Sequence, residues 1–272
     1  MNNELDLILI EEGTYEVSIE YKLDGNVAIV TLNRPDKLNA LTDAMYARMT
    51  ELFTAFQTDD SVRAVIVTGA GRAFCSGSDV TAMANANPLA GRARMQTRHQ
   101  MITAIANLEK PVIAAVRGAA VGIGFSIAMA CDLIIASDNA KFSQIFKKIG
   151  LVPDGGSIYF LTQRIGIARA KDLVYTARML PAEEAREWGL INRVVADAEL
   201  EANALALARE LAASATFALA LAKKMFQSMY VPTLETQLEQ ENLCQGTAKL
   251  TEDHLEGVAA FKEKRAAVFK GR

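Results

Sequence analysis

The amino-acid sequence predicts an α/β protein, and three observations carry that reading. Strand-like apolar runs alternate with segments of helical spacing; two glycine-bearing junctions each join such a run to a helical segment; and the chain beyond residue 181 reads as entirely helical. Residues 1–20 form a polar extension. Tyr21 to Leu32 reads as a hairpin, with Asp24-Gly25 as the turn and Val27-Ala28-Ile29-Val30 as a strand. Leu41, Met45, Met49, Leu52, Phe53 and Phe56 then recur at helical spacing. Ala64-Val65-Ile66-Val67-Thr68 is a buried strand that leads into the first junction, Ala73-Phe74-Cys75-Ser76-Gly77-Ser78-Asp79. Residues 92–108 read as a helix. Val112-Ile113-Ala114-Ala115-Val116 leads into the second junction, Gly118-Ala119-Ala120-Val121-Gly122-Ile123-Gly124, and Leu133 to Ala136 is a further strand. The expected organisation is an extension (1–20), an α/β core (21–200) and a C-terminal helical region (201–272).

Composition narrows the function. Hydrophobic residues make up 51% and charged residues 22%, enough apolar matter for a sizeable core and not the make-up of a disordered chain. A net charge of −3 gives no general attraction to nucleic acid or to an anionic membrane. Cys75, Cys131 and Cys244 lie far apart, and with only His99 and His254 beside them no zinc-ligand spacing is present. They read as reduced thiols of a cytoplasmic protein. The acidic start Met1-Asn2-Asn3-Glu4-Leu5-Asp6 lacks the basic region of a secretory signal. The uncharged run from Gly118 to Cys131 is 14 residues, too short to span a bilayer.

A helix N-terminus carries unpaired N–H groups and partial positive charge. Two such ends converging on one point could hold the oxygen of an enolate or tetrahedral anion. Gly122-Ile123-Gly124 also invites comparison with a dinucleotide fingerprint, but Ile127 stands where the third glycine belongs.

These junctions, with Leu32-Asn33-Arg34-Pro35, Leu38-Asn39-Ala40-Leu41, Cys131-Asp132-Leu133-Ile134-Ile135-Ala136, Ile149-Gly150-Leu151-Val152-Pro153-Asp154-Gly155-Gly156, Ala185-Arg186-Glu187-Trp188-Gly189-Leu190-Ile191 and Glu256-Gly257-Val258-Ala259-Ala260-Phe261, resemble the crotonase superfamily of enoyl-CoA hydratases and isomerases. The resemblance covers roughly residues 17–270. It implies a spiral of ββα turns, a C-terminal helical region that assembles homotrimers or homohexamers, and an acyl-CoA substrate with no separate cofactor and no metal. It places the oxyanion donors at the backbone N–H groups of Ser78 and Ile123. It assigns CoA contacts to Lys37, Leu38 and Ala40, to the backbone of Ser76–Asp79, and to Phe261 and Lys264 from the C-terminal helix, sometimes across a subunit boundary. Lys262, Lys264 and Arg265 read equally well as a solvated helix face.

The two glutamates that bracket water in the family's hydratases are replaced here by Ser126 and Phe146. The nearest carboxylate is Asp154. Read alone, Pro153-Asp154-Gly155 is a turn whose aspartate could cap a helix beginning near Ser157; by resemblance, Asp154 matches the catalytic aspartate of isomerases acting on 3-enoyl-CoA and on ring-epoxide phenylacetyl-CoA derivatives. Burial among Phe146, Ile149 and Tyr159 is expected to raise its basicity. The reaction so implied is double-bond migration, with hydration as the alternative. His99 lies 12 residues before Pro111 and 55 before Asp154, spacings that match 4-chlorobenzoyl-CoA dehalogenases. The aromatic pocket of those enzymes is represented here by Gly91, Arg98, Phe146 and Ser78, of which only Phe146 is aromatic. A packed or surface His99, on a face with Met95, Ile102 and Ala106, is the structural alternative. A non-catalytic RNA-binding relative would need a basic stripe, and no basic cluster precedes residue 262. Loop 80–95, including Ala84-Asn85-Ala86-Asn87-Pro88, is expected to shape the acyl pocket.

Overall fold

A computed structural model describes residues 18–79, 88–228 and 233–272. Residues 1–17 of the expected extension and 80–87 of the expected pocket loop lie outside the described residues, and Ile19 and Glu20 already belong to the first strand. Strands β1 (Ile19–Asp24) and β2 (Val27–Leu32) form the anticipated hairpin, turned at Gly25, whose φ of 59° suits a residue without Cβ. A single 3₁₀ turn, Pro35–Lys37, leads to helix α1 (Asp43–Thr58), capped by the Thr42 hydroxyl accepting from the Met45 N–H. Then follow β3 (Ala64–Gly69), α2 (Pro88–Asn107), β4 (Val112–Val116), β5 (Ala119–Val121), α3 (Ile123–Ala130), β6 (Leu133–Ser137) and β7 (Lys141–Ser143). After a 3₁₀ turn at Ile145–Ile149 come α4 (Ser157–Thr176, broken at Gly166), β8 (Leu180–Pro181), α5 (Ala182–Glu187) and β9 (Arg193–Val195). Helices α6 (Leu200–Ala212), α7 (Thr216–Ser228), α8 (Leu234–Ala248) and α9 (Glu252–Glu263) complete the described chain.

The large sheet runs β1-β2-β3-β4-β6-β9, and all its pairs after the first hairpin are parallel. Successive side chains leave a strand on opposite faces. Val65, Val67, Val112, Ala114 and Val116 therefore meet the residues of α1, α2 and α3, while Ala64, Ile66, Ile113, Ala115 and Ile135 meet Leu200, Ala204, Leu207 and Ala208 of α6. Covering both faces explains why these strands read as unbroken apolar runs. A smaller sheet, β5-β7-β8, stands beside the first. Two turns of the chain, β4-β5-α3 and β6-β7-α4, each contribute a strand to the large sheet, a short strand to the small one and then a helix. The spiral of ββα turns is present.

Two details differ from expectation. The region after 181 is not wholly helical: β9 pairs with the edge of β6 through Ile135↔Arg193 to Ser137↔Val195, just as β8, at the boundary, pairs with β7. Strands this short exist only through their long-range partners, and the Asn192 side chain completes that edge by accepting from the Ile134 N–H at 2.8 Å. Helix α2 also begins earlier than residue 92, at Pro88, a residue whose fixed φ suits a first helical turn. The expected boundary at 200 falls at the first residue of α6, the helix that covers the sheet.

Helix α7 is latched to the sheet by Lys223, whose ammonium lies 2.9 Å from Asp132 Oδ2. The same oxygen accepts from the Val112 N–H at 2.8 Å, and burial pushes the Asp132 carboxyl up despite the lysine. Removing one partner of a withdrawn pair leaves the other charge uncompensated. Lys223→Met is expected to cost about 1–3 kcal/mol, read as a lower urea midpoint at unchanged slope.

Candidate active site

The two glycine junctions lie side by side. Phe74 N–H donates to Arg117 O at 2.7 Å, Cys75 N–H to Ala119 O at 2.9 Å and Val121 N–H to Cys75 O at 2.9 Å. This short parallel ladder needs close backbone approach. A Cβ on Gly118 would stand 2.1 Å from Arg72 O, and one on Gly124 would stand 2.5 Å from Cys75 O. Beyond the ladder, Leu41 N–H donates to Gly77 O and Asp79 N–H to Leu41 O, both at 2.8 Å. The intervening Ser78 N–H points away from Leu41 and meets no acceptor among the described residues. Ile123 opens α3, and Gly122 before it supplies no side-chain cap. The N–H groups of Ser78 and Ile123 are thus both open, on segments that the ladder holds in register, with a helix N-terminus behind one of them.

Asp154 lies in the loop before α4, followed by Gly155 and Gly156 at φ values of 60° and 74°. Its side chain does not cap that helix, which has no side-chain cap at all. Instead its carbonyl is held by two hydroxyls: Ser126 Oγ donates to it at 3.0 Å, and Ser157 Oγ also donates to it, the two hydroxyls being 2.7 Å apart. Ser126, which the resemblance matches to a hydratase glutamate, therefore anchors the aspartate's loop. Ser126→Ala is expected to lower stability by about 0.5–1.5 kcal/mol, measured by urea unfolding.

The Asp154 carboxylate is withdrawn from solvent. Oδ2 lies 3.0 Å from Arg98 Nη1, and Oδ1 is buried without a partner among the described residues. Burial pushes the carboxyl up; Arg98, and more weakly His99, pull it down, and the net direction is up. Two expected neighbours do not supply that burial. Ile149 and Tyr159 are each 52% exposed, because Gly150 takes a left-handed turn after Ile149 and Tyr159 occupies an outward face of α4. The walls are instead Arg98, with Ile123 and Ser126 packed close against Gly155. Phe146 is buried, its ring beside Gly122.

Tyr46 is a site residue that sequence reasoning passed over, and Arg98 figures there only as a non-aromatic position in the dehalogenase comparison, not as a partner of Asp154. The Arg98 guanidinium lies over the Tyr46 ring, 5.3 Å from its centroid, and the Tyr46 hydroxyl is 2.7 Å from Ser78 Oγ. Burial pushes the Tyr46 phenol up. A usable signal existed: Arg98 precedes buried Met101, Ile102 and Ile105 by three, four and seven residues, so a charge interrupts an apolar stripe. His99, one residue on, is exposed, the surface form of the structural alternative.

The segments assigned to CoA adjoin Ser78. Lys37 is exposed, and Leu38 has φ 48°. The Leu38 carbonyl accepts from the Ser76 N–H at 2.9 Å, and Ser76 Oγ donates to Lys37 O at 3.3 Å. Arg34 donates to Ala40 O at 2.6 Å and pairs with Asp79 at 3.0 Å, so the Asp79 carboxylate serves this loop. Buried Asn39 accepts from the Arg34 N–H and donates to Ala70 O and Ala73 O. Phe261 and Lys264 are not brought here within one chain. Both are exposed at the end of α9, and the tail that follows is tied by Phe269 O to Arg63, at the entering end of β3, a strand's length from the junctions. Among the described residues no three His, Cys, Asp or Glu converge as a metal site. No single helix among them is long and apolar enough to cross a membrane.

Residues 22–272 match the family model described as enoyl-CoA hydratase/isomerase. The chain belongs to that family. Members of the enoyl-CoA hydratase/isomerase family act on acyl-CoA thioesters, and this chain is similar throughout its length to several of them. It is 40% identical over 255 residues to the 1,2-epoxyphenylacetyl-CoA isomerase of Escherichia coli K12, covering 92% of this chain and 97% of that protein. It is 38% identical over 243 residues to the short-chain-enoyl-CoA hydratase of Clostridium acetobutylicum, covering 89% and 93%. The crystal structure of an enoyl-CoA hydratase from Bacillus anthracis superposes with a TM-score of 0.90 at 33% identity, covering 94% of this chain and all of that one. Relatives of this enoyl-CoA hydratase/isomerase family member thus carry both isomerase and hydratase names.

Proposed function

We propose that the protein shifts a double bond in an enoyl-CoA by enolate-stabilised proton transfer, with Asp154 as the single base. The observation that carries the reading is the Asp154 carboxylate itself. It is buried, raised in pKa and unpartnered at Oδ1, while the two positions of the hydratase glutamates hold Ser126 and Phe146. The thioester carbonyl accepts from the N–H groups of Ser78 and Ile123. Asp154 Oδ1 takes the proton from C2, the electron pair moves onto the thioester oxygen as a dienolate, and the same carboxyl returns the proton to C4. Each N–H donor contributes about 10²–10³ in rate. Hydration would need a second acid or base beside the water, and the Ser126 hydroxyl is already spent on the Asp154 carbonyl. Dehalogenation would place His99 against a water next to Asp154, where Arg98 makes the contact instead. CoA lies along Lys37–Ala40 and Ser76–Asp79. Phe261 and Lys264 reach the adenine end from a neighbouring copy in a trimer or hexamer.

The test supplies a 3-enoyl-CoA and a 2-enoyl-CoA separately and follows the absorbance of the conjugated thioester. Conjugation of the first with little loss of the second is expected. Hydration of the second that outpaces conjugation of the first would overturn the isomerase reading.

A further inference from the structure

We propose that Arg98 is a positioning residue for this reaction, keeping the Asp154 carboxylate ionised in its buried seat and turning Oδ1 toward the ligand. The inference rests on the assignment of Asp154 as base. Arg98 leaves α2 on the stripe that also carries Met101, Ile102 and Ile105, and its side chain is only 12% exposed. A guanidinium has no business on an apolar stripe unless a partner compensates its desolvation. Three groups do: the Asp154 carboxylate at 3.0 Å, the Met95 Sδ, which accepts weakly from Nη1 at 3.6 Å, and the face of Tyr46.

The contact with the carboxylate is one-armed. A fork-to-fork pair would occupy both oxygens and leave neither for a substrate proton. Here Nη1 alone holds Oδ2, so the carboxylate is fixed in direction while Oδ1 stays unpartnered. The Tyr46 ring under the guanidinium restricts its rotation, and the Tyr46 hydroxyl is bonded to Ser78, the residue that offers one oxyanion N–H. Two side chains, Arg98 and Tyr46, thus link the base to the oxyanion loop.

The charged and titratable groups facing Asp154 are Arg98 and His99 from α2 and Tyr46 from α1. Helices α3 and α4 present the neutral hydroxyls of Ser126 and Ser157 to its carbonyl. Burial disfavours the charged carboxylate and Arg98 opposes that effect, so without Arg98 the proton is held to higher pH. A base works only deprotonated, and the acid limb of the rate profile must then move up.

The experiment measures kcat and kcat/KM for 3-enoyl-CoA conjugation against pH in wild type, Arg98→Gln, Arg98→Lys and Asp154→Asn. In parallel, the Asp154 carboxyl is titrated by infrared difference against Asp154→Asn, a readout that needs no turnover. The Arg98→Gln profile is expected to shift upward by about 1–3 pH units, with kcat falling more than KM rises, and Arg98→Lys is expected to recover much of the shift. Arg98→Met, which keeps the apolar stem, carries the same test if the glutamine variant does not fold. Coincident acid limbs and coincident infrared titrations in wild type and Arg98→Gln would overturn the proposal. Wild-type turnover in Asp154→Asn would overturn the base assignment instead, a failure separable because the infrared titration still reports what Arg98 does to the carboxyl.

Discussion

Asp154→Asn is expected to lower kcat for conjugation of a 3-enoyl-CoA by about 10²–10⁴-fold while KM changes little. The amide is nearly isosteric and its oxygen can still accept from Arg98 Nη1, so the 3.0 Å contact that seats the side chain survives. The hydroxyls of Ser126 and Ser157 grip the main-chain carbonyl, which the substitution does not touch. What disappears is the carboxylate proposed to carry a proton between C2 and C4. The pH dependence follows from the direction of the shift. Burial raises the Asp154 pKa, so wild-type kcat/KM falls as pH drops through a value above the ordinary carboxylate range. Whatever activity remains in the asparagine variant should lack that limb. Circular dichroism and thermal melting confirm the fold, and absorbance kinetics give the rates. Full activity in a folded Asp154→Asn enzyme would remove the aspartate from the mechanism.

Much of this site was legible in the sequence because its parts are local. A buried strand followed by small residues and then a helix is written in one contiguous stretch, and two such stretches bracket Cys75 and Gly122. The sheet followed in the same way, since Val65–Val67 and Val112–Val116 are apolar on both faces. The resemblance, rather than the pattern, pointed to Asp154: on its own Pro153-Asp154-Gly155 is only a turn. Arg98 and Tyr46 were illegible as partners because they join through tertiary packing. Arg98 meets a carboxylate 56 residues away, and Tyr46 meets a hydroxyl 32 residues away. No local period encodes either distance. Strand β9 was missed for the same reason, since three residues become a strand only when the edge of β6 is beside them.

The ladder between the junctions gives the other large effect. In Gly124→Ala two forces oppose each other. Alanine favours an α-helix over glycine by about 1 kcal/mol, and Gly124 is the second residue of α3. The new methyl, however, would stand 2.5 Å from Cys75 O and 2.6 Å from Cys75 Cβ. The carbonyl cannot yield freely, because it accepts the Val121 N–H that holds the junctions together. Overpacking of this kind costs about 1–3 kcal/mol, so sterics outweigh propensity and the variant should be less stable in urea. The functional loss should exceed the stability loss. Relief of the clash must separate α3 from the Cys75 segment, and with it the Ile123 N–H from the Ser78 N–H, while the CoA segments Lys37–Ala40 and Ser76–Asp79 keep their mutual contacts. A misplacement approaching 1 Å costs about 10²-fold in rate, so kcat should fall by that order while KM moves less. Gly246→Ala in α8 is the control. Nothing lies within 4 Å of its Cβ, so helix propensity acts alone there and stability should rise slightly with activity unchanged. If Gly124→Ala behaved like Gly246→Ala, the close approach of the two junctions would not be what aligns the oxyanion donors.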